Sequence, residues 1–211
     1  MKKRIFAIIL LLFIMALFLL PFLKTKTVEF VHYEQMQKIE NTQLYNEILN
    51  NEIEVRMGKV NAITNKKEWF IAYKKMINDY SNVLDKPESI YDYYTEEELD
   101  LLFKVVQAEI GDYTFEQKCN VASVIFNRLE HEQFNNTIHE ILTSDQFSTI
   151  SNGRIHNVIV DEETILACEY VFMFGDTTDG ALFFDSNGAL SYRYLFNDGA
   201  HNFYDLGGYD E

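Results

Sequence analysis

The stretch from Leu99 to Leu129 constrains this chain most, because two helix-start signatures bracket a single glycine there. Thr95 followed by Glu98 is a capping box and predicts a helix from about Glu96. Leu99, Leu102, Phe103, Val106 and Ile110 then recur at three- and four-residue steps and make one apolar face. Gly111 is placed to stop that helix. A second capping box, Thr114 to Gln117, starts the next one. It carries Cys119, Val121, Ala122, Val124, Ile125, Phe126 and Leu129, is apolar nearly all round, and is expected to be the central buried helix. Asn127 and Arg128 close it.

Glu109 stands out on the first of these helices. Its spacing from Leu102 and Val106 makes it project from the inward face. A carboxylate there is costly unless it is paired or protonated. It also lies in the last turn, at the negative end of the helix dipole. Burial and the dipole both disfavour the anion, which is the condition a general acid needs. A plainer reading of the same spacing is a helix-end Glu that turns back to water.

At 211 residues the chain holds one ordinary domain and an appendage. Residues 1–26 carry five basic and no acidic residues, 27–94 eight and eleven, and 95–211 five and twenty-two. So acidic a C-terminal part is repelled by phosphate backbones, which sets nucleic acid aside as a partner. Ligand recognition by so acidic a domain would rest on shape, hydrogen bonds and aromatic stacking.

Lys2, Lys3 and Arg4 precede an apolar run from Ile5 to Leu23, about the length of a membrane-spanning helix, and no small-x-small cleavage site follows. The expectation is a signal anchor over 1–26 with the remainder outside the cytoplasm; the alternative is secretion after signal cleavage. Residues 27–87 are polar and helix-prone, with Glu34 to Asn50 as one candidate helix and Trp69, Tyr73, Met76 and Tyr80 marking a second. The segment reads as a helical stalk or linker, as a surface for a protein partner or self-association, or as a helix packing on the following domain. Lys86-Pro87 ends it, leaving 88–211 as the main domain.

Thr137 to Glu140 is a third capping box, for a short helix over Ile138 to Leu142. A loop through Gln146, Phe147 and Ser148 follows, with Asn152-Gly153 as a turn. Asp161 caps a further helix, with Ile165, Cys168, Val171 and Phe172 facing inward and Gly175 ending it. Ala181 to Phe184, Leu190 to Phe196 and His201 to Tyr204 read as strands, and Asn187-Gly188 is a hairpin signal between the first two. The fold class is therefore α+β, mainly helical with a small antiparallel sheet. Phe183, Phe184, Tyr192, Tyr194, Phe203 and Tyr204 are assigned mostly to core, with room for a stacking platform among them. Cys119 and Cys168 lie on apolar faces and are expected to be buried free thiols, a bridge being the alternative. The five histidines show no metal-ligand spacing, and no phosphate loop or Ser-His-Asp pattern is present, so neither metal nor cofactor is expected.

The run VVQAEIGDYTFEQKCNVASVIFNRL, followed by FNNTIHEIL and QFSTISNGRI, resembles the cell wall hydrolase family of the spore cortex-lytic enzymes. The shared pattern is a small residue and Glu at a helix end, a second helix ending in Asn-Arg, a Gln-Phe-Ser segment, and an aromatic C-terminal strand near a His. It covers about Glu97 to Tyr204. Where the family often reads Glu-Ala-Arg/Gly-Gly-Glu, this chain has Glu109-Ile110-Gly111-Asp112. The resemblance implies a lysozyme-like fold that cleaves peptidoglycan glycan strands with one essential Glu, here Glu109. It further implies substrate-binding or orienting roles for Asn127, Arg128, Gln146, Phe147, Ser148 and His201, and pairing of the first strand with the one at His201 to Tyr204. The mechanism implied is that of a lytic transglycosylase. Two alternatives stay open: a two-carboxylate muramidase with Asp112, ahead of Glu116, as second carboxylate, and an inactive membrane-anchored wall-binding or scaffold protein.

Overall fold

A computed structural model describes residues 35–143 and 147–207. The chain divides into two compact units, residues 1–59 and 60–211. In the first, residues 35–59 are helical; this helix, α1, ends at residue 61. The membrane anchor expected over 1–26 lies outside the described residues. Among the described residues no helix is long and apolar enough to cross a membrane.

The second unit begins with α2 (Lys66–Asp79), a single turn α3 (Ile90–Tyr93), α4 (Glu96–Ile110) and α5 (Phe115–Glu130). There follow α6 (Ile138–Thr143), α7 (Ser148–Ser151), a 3-10 turn (Arg154–Asn157) and α8 (Glu162–Phe174). Three short strands close the chain, β1 (Phe183–Asp185), β2 (Arg193–Asn197) and β3 (Asn202–Asp205).

Each main helix starts where its cap predicts. The Thr95/Glu98 and Thr114/Gln117 boxes are both closed reciprocally, and Asp161 accepts from the Thr164 amide. Gly111 ends α4 at φ 61°, a backbone conformation that side chains with a Cβ resist. Helix α5 is the central helix: its residues from Val121 through Ile125 are all buried, and it packs on α8 and α4. Cys119 and Cys168 are both buried and free. Burial pushes the Cys119 thiol up to about 12 and raises that of Cys168.

Two polar side chains tie this core together. Lys118 is fully buried, and its ammonium meets Asp161 at 2.5 Å and Glu163 at 3.7 Å. Gln107 accepts from the Asp161 amide and the Thr164 hydroxyl and donates to the Gly111 carbonyl. The end of α4 is thereby fastened to the start of α8. Helix α2 belongs to this unit: Phe70 is buried against the rings of Tyr170 and Phe174, with Trp69 and Tyr73 also on Phe174. Lys67–Glu163 and Lys74–Glu169 pairs flank the contact.

The sheet order is β1-β3-β2, antiparallel throughout, with Phe183 opposite Tyr204 and Tyr194 opposite Tyr204 on the other side. The pairing of the first strand with the last is thus the one implied by the family pattern. A direct hairpin of β1 with β2 about Asn187-Gly188 does not form. Asp185 draws the chain back on itself instead, its carboxylate accepting from the amides of Gly188, Ala189 and Leu190. The strands also start later than the apolar pattern suggests: Ala181 and Leu182 are buried but precede β1. Two further differences concern helices. Ser148 opens a short helix rather than lying in a loop. On α8 the buried face is Thr164, Leu166, Ala167, Cys168 and Val171, while Ile165 and Phe172 are only partly buried.

Candidate active site

Helix α4 delivers Glu109 to the surface between two fully buried neighbours, Ala108 and Ile110. The glutamate itself is half-buried. The Gly111 turn opens the chain beside it into a cleft of about 380 Å3 lined by Glu109, Ile110, Gly111, Asp112, Tyr113 and Arg154. Thr149, on α7 and fully buried, donates its hydroxyl to Glu109 Oε1 at 2.7 Å. One carboxylate oxygen is therefore held, and the other has no hydrogen-bond partner among the described residues. Asp112 lines the same cleft but is exposed, and no described group donates a hydrogen bond to its side chain. Glu116 is exposed on the first turn of α5 and does not line the cleft.

Arg128 lies behind this cleft, only 3% exposed. Its Nε donates to the Leu182 carbonyl at 2.7 Å, and its guanidinium sits 5.0 to 5.3 Å from the rings of Phe147, Phe134 and Phe183. Burial pulls the guanidinium down to about 10, opposed by Tyr192 and by the nearby Glu109 charge. One of its terminal nitrogens has no hydrogen-bond partner among the described residues. Phe147 is thus a buried wall between Arg128 and the ring of Phe184.

His201 is also buried, packed edge-on against Phe184 at 5.1 Å, with its Nδ1 unpartnered among the described residues. Burial lowers its pKa, against the opposing charges of Asp198, Glu109 and Asp185. Asn127 points elsewhere: its amide nitrogen donates to Asp176, Thr178 and the Ala181 carbonyl, pinning the loop that leads to β1. Ser148 is exposed at the start of α7. Gln146 lies outside the described residues.

The structure therefore brings Glu109 and Asp112 to one cleft, buries Arg128 and His201 within reach of the Glu109 charge with Phe147 against Arg128, and sets Asn127 in a loop anchor. Arg154 and Tyr113 complete the cleft, Thr149 holds Glu109, and none of the three stands out by spacing. The only available signal for Arg154 was its rarity, as one of five basic residues in 95–211.

The sequence from residue 113 to 204 matches the family model for Cell Wall Hydrolase. Glu109 lies just ahead of the matched span. No curated protein matches the chain. Among solved structures it is similar to the catalytic domain of the germination-specific lytic transglycosylase SleB from Bacillus anthracis, at 20% identity and a TM-score of 0.50, over 55% of this chain and 100% of that one. The catalytic domain of the Bacillus cereus SleB protein is similar at 19% identity and a TM-score of 0.49, over 58% and 100%. Mainly helical, with a small antiparallel sheet, the fold is that of the former domain. Residues 113–204 thus match the cell wall hydrolase family, the one that the sequence resembles.

Proposed function

We propose that this protein cleaves peptidoglycan glycan strands as a lytic transglycosylase, with Glu109 as its single general acid and base. The observation that carries the reading is the posture of Glu109: half-buried at an open cleft, with one oxygen held by Thr149 and the other free to carry a proton. In the first step the Glu109 proton passes to the leaving glycosidic oxygen as the bond to C1 of muramic acid breaks. The carboxylate then takes the proton of the muramic 6-hydroxyl, whose oxygen closes on C1 to give the 1,6-anhydro ring. Glu109 ends protonated as it began, and no second carboxylate is consumed.

A two-carboxylate hydrolase is the second reading, favoured by the presence of Asp112 in the same cleft. A catalytic base or nucleophile works from a fixed orientation. Glu109 has one and Asp112 does not, which favours the first reading.

The test is digestion of purified peptidoglycan by the full chain and by its Glu109→Gln variant, with products identified by mass spectrometry. Anhydro-muropeptides from the wild type and none from the variant are expected. Reducing-end muropeptides would reject transglycosylation and move attention to Asp112.

The N-terminal 1–26 segment belongs to the same proposal as a membrane anchor that holds the domain on the outer side, where the wall is. Protease added to intact cells should remove the domain, and carbonate washing should leave the chain in the membrane fraction.

A further inference from the structure

Five basic residues serve the strongly acidic stretch from 95 to 211. Four are committed. Lys104 pairs with Asp100, Lys118 with Asp161, Arg193 with Asp205, and Arg128 is buried among three rings. Arg154 differs. It is exposed, lines the Glu109 cleft, and has no carboxylate partner among the described residues.

Its position is nonetheless set. Nη2 donates to the Ala108 carbonyl at 2.7 Å, across the last turn of α4, and its own amide donates to Asn152 Oδ1 at 2.9 Å. The next residue, Ile155, is buried and anchors the 3-10 turn. One nitrogen of a planar fork is thus fixed to the scaffold, and the side chain lines the cleft beside the catalytic candidate. A guanidinium so held is suited to a carboxylate, which it meets with two parallel hydrogen bonds. With twenty-two acidic residues around it, the domain would otherwise repel an anionic strand.

We propose that Arg154 is a subsite for a carboxylate carried on the lactyl arm of muramic acid. This rests on the glycan-cleavage reading for the choice of ligand. Two sources share the chemistry: the free lactyl carboxylate of a strand stripped of its peptide, and a carboxylate of the stem peptide. Arg154 would then select charged muramic residues for the position next to Glu109.

The experiment measures binding by the full chain in the Glu109→Gln background, so that cleavage does not intervene. The probes are glycan strands with stems removed by an amidase, strands with stems intact, and neutral chitooligosaccharides. The chain should bind at least one anionic probe about tenfold more tightly than the neutral one, with the preference fading as salt is raised. Adding Arg154→Gln should bring that ratio to about one, and Arg154→Lys should keep part of it. A stronger preference for stripped strands assigns the lactyl carboxylate, and one for intact strands assigns the stem. Folding of each variant is checked by circular dichroism, and Arg154→Lys carries the test if Arg154→Gln does not fold. A ratio unchanged by these substitutions, or no preference for anionic probes, overturns the proposal. Failure of the function reading would look different: no products from the wild type on any wall, whatever the binding ratio.

Discussion

Thr149 orients the carboxylate of Glu109, the proposed general acid and base. Its hydroxyl is the one described side-chain donor to that carboxylate, and it reaches across forty positions of sequence. Replacing it with Val removes the donor and leaves the shape nearly intact. A hydrogen bond to a charged group is worth about 1.5–3 kcal/mol, so Thr149→Val should lower kcat by about ten- to a hundredfold. KM should move little, because the hydroxyl touches Glu109 rather than the glycan. Thr149→Ser should recover most of the rate. An equal loss in both variants would mean that Thr149 matters for packing alone. Helix periodicity placed Glu109 on the face of Leu102 and Val106, and its proposed role came from the family resemblance. Thr149 and Arg154 were not legible, because both reach the end of α4 by folding of α7 and the 3-10 turn onto it, a contact that no local period records.

At the scale of elements, the helices were legible and the sheet was only half so. Capping boxes act within four residues, and all three at Thr95, Thr114 and Thr137 hold their N3 amides as the spacing requires. The Asn187-Gly188 signal is equally local but was outweighed. Asp185 takes three amides of its own loop, and β3 offers β1 a partner with Phe203 and Tyr204 buried beneath it. Helix α2 shows the same tension between sequence and packing. Its apolar spacing allows a stalk or a helix packed on the following domain, and the packed reading is the one that holds for Phe70 and Met76, core residues of the second unit. A fragment of residues 88–211 should therefore melt well below one of residues 60–211 and bind an apolar dye on the exposed Tyr170 and Phe174 rings. Phe70→Ala should cost about 3–5 kcal/mol by urea unfolding, as expected for a large ring lost from a core. Equal melting of the two fragments would show that α2 contributes nothing to the unit.

For the molecule as a whole, acid is the condition that tests how its many carboxylates are used. The net charge of −15 implies self-repulsion at neutral pH that protonation relieves. Working against that relief are aspartates whose charged forms are built into loops. Desolvation tends to raise the Asp176 carboxyl, but donors from Thr178, Gly180 and Asn127 outweigh it and hold the group below its ordinary 3.8. The same contest, with the same result, is played at Asp185 by the amides of Gly188 and Ala189 and the side chains of Asn202 and Tyr204. A carboxyl whose folded value is depressed stabilises the fold at pH above its unfolded value, and that stability is lost as pH falls through the folded one. Asp176→Asn should accordingly be less stable than the wild type at pH 7, since an amide cannot accept all four donors. The gap should begin to close near pH 4 and shrink further below it, as the wild-type carboxyl takes up its proton and loses the same bonds. Urea titrations of both proteins between pH 3 and 7 measure it. A gap independent of pH would mean that the shape of the side chain, and not its charge, holds the loop that joins α8 to the sheet.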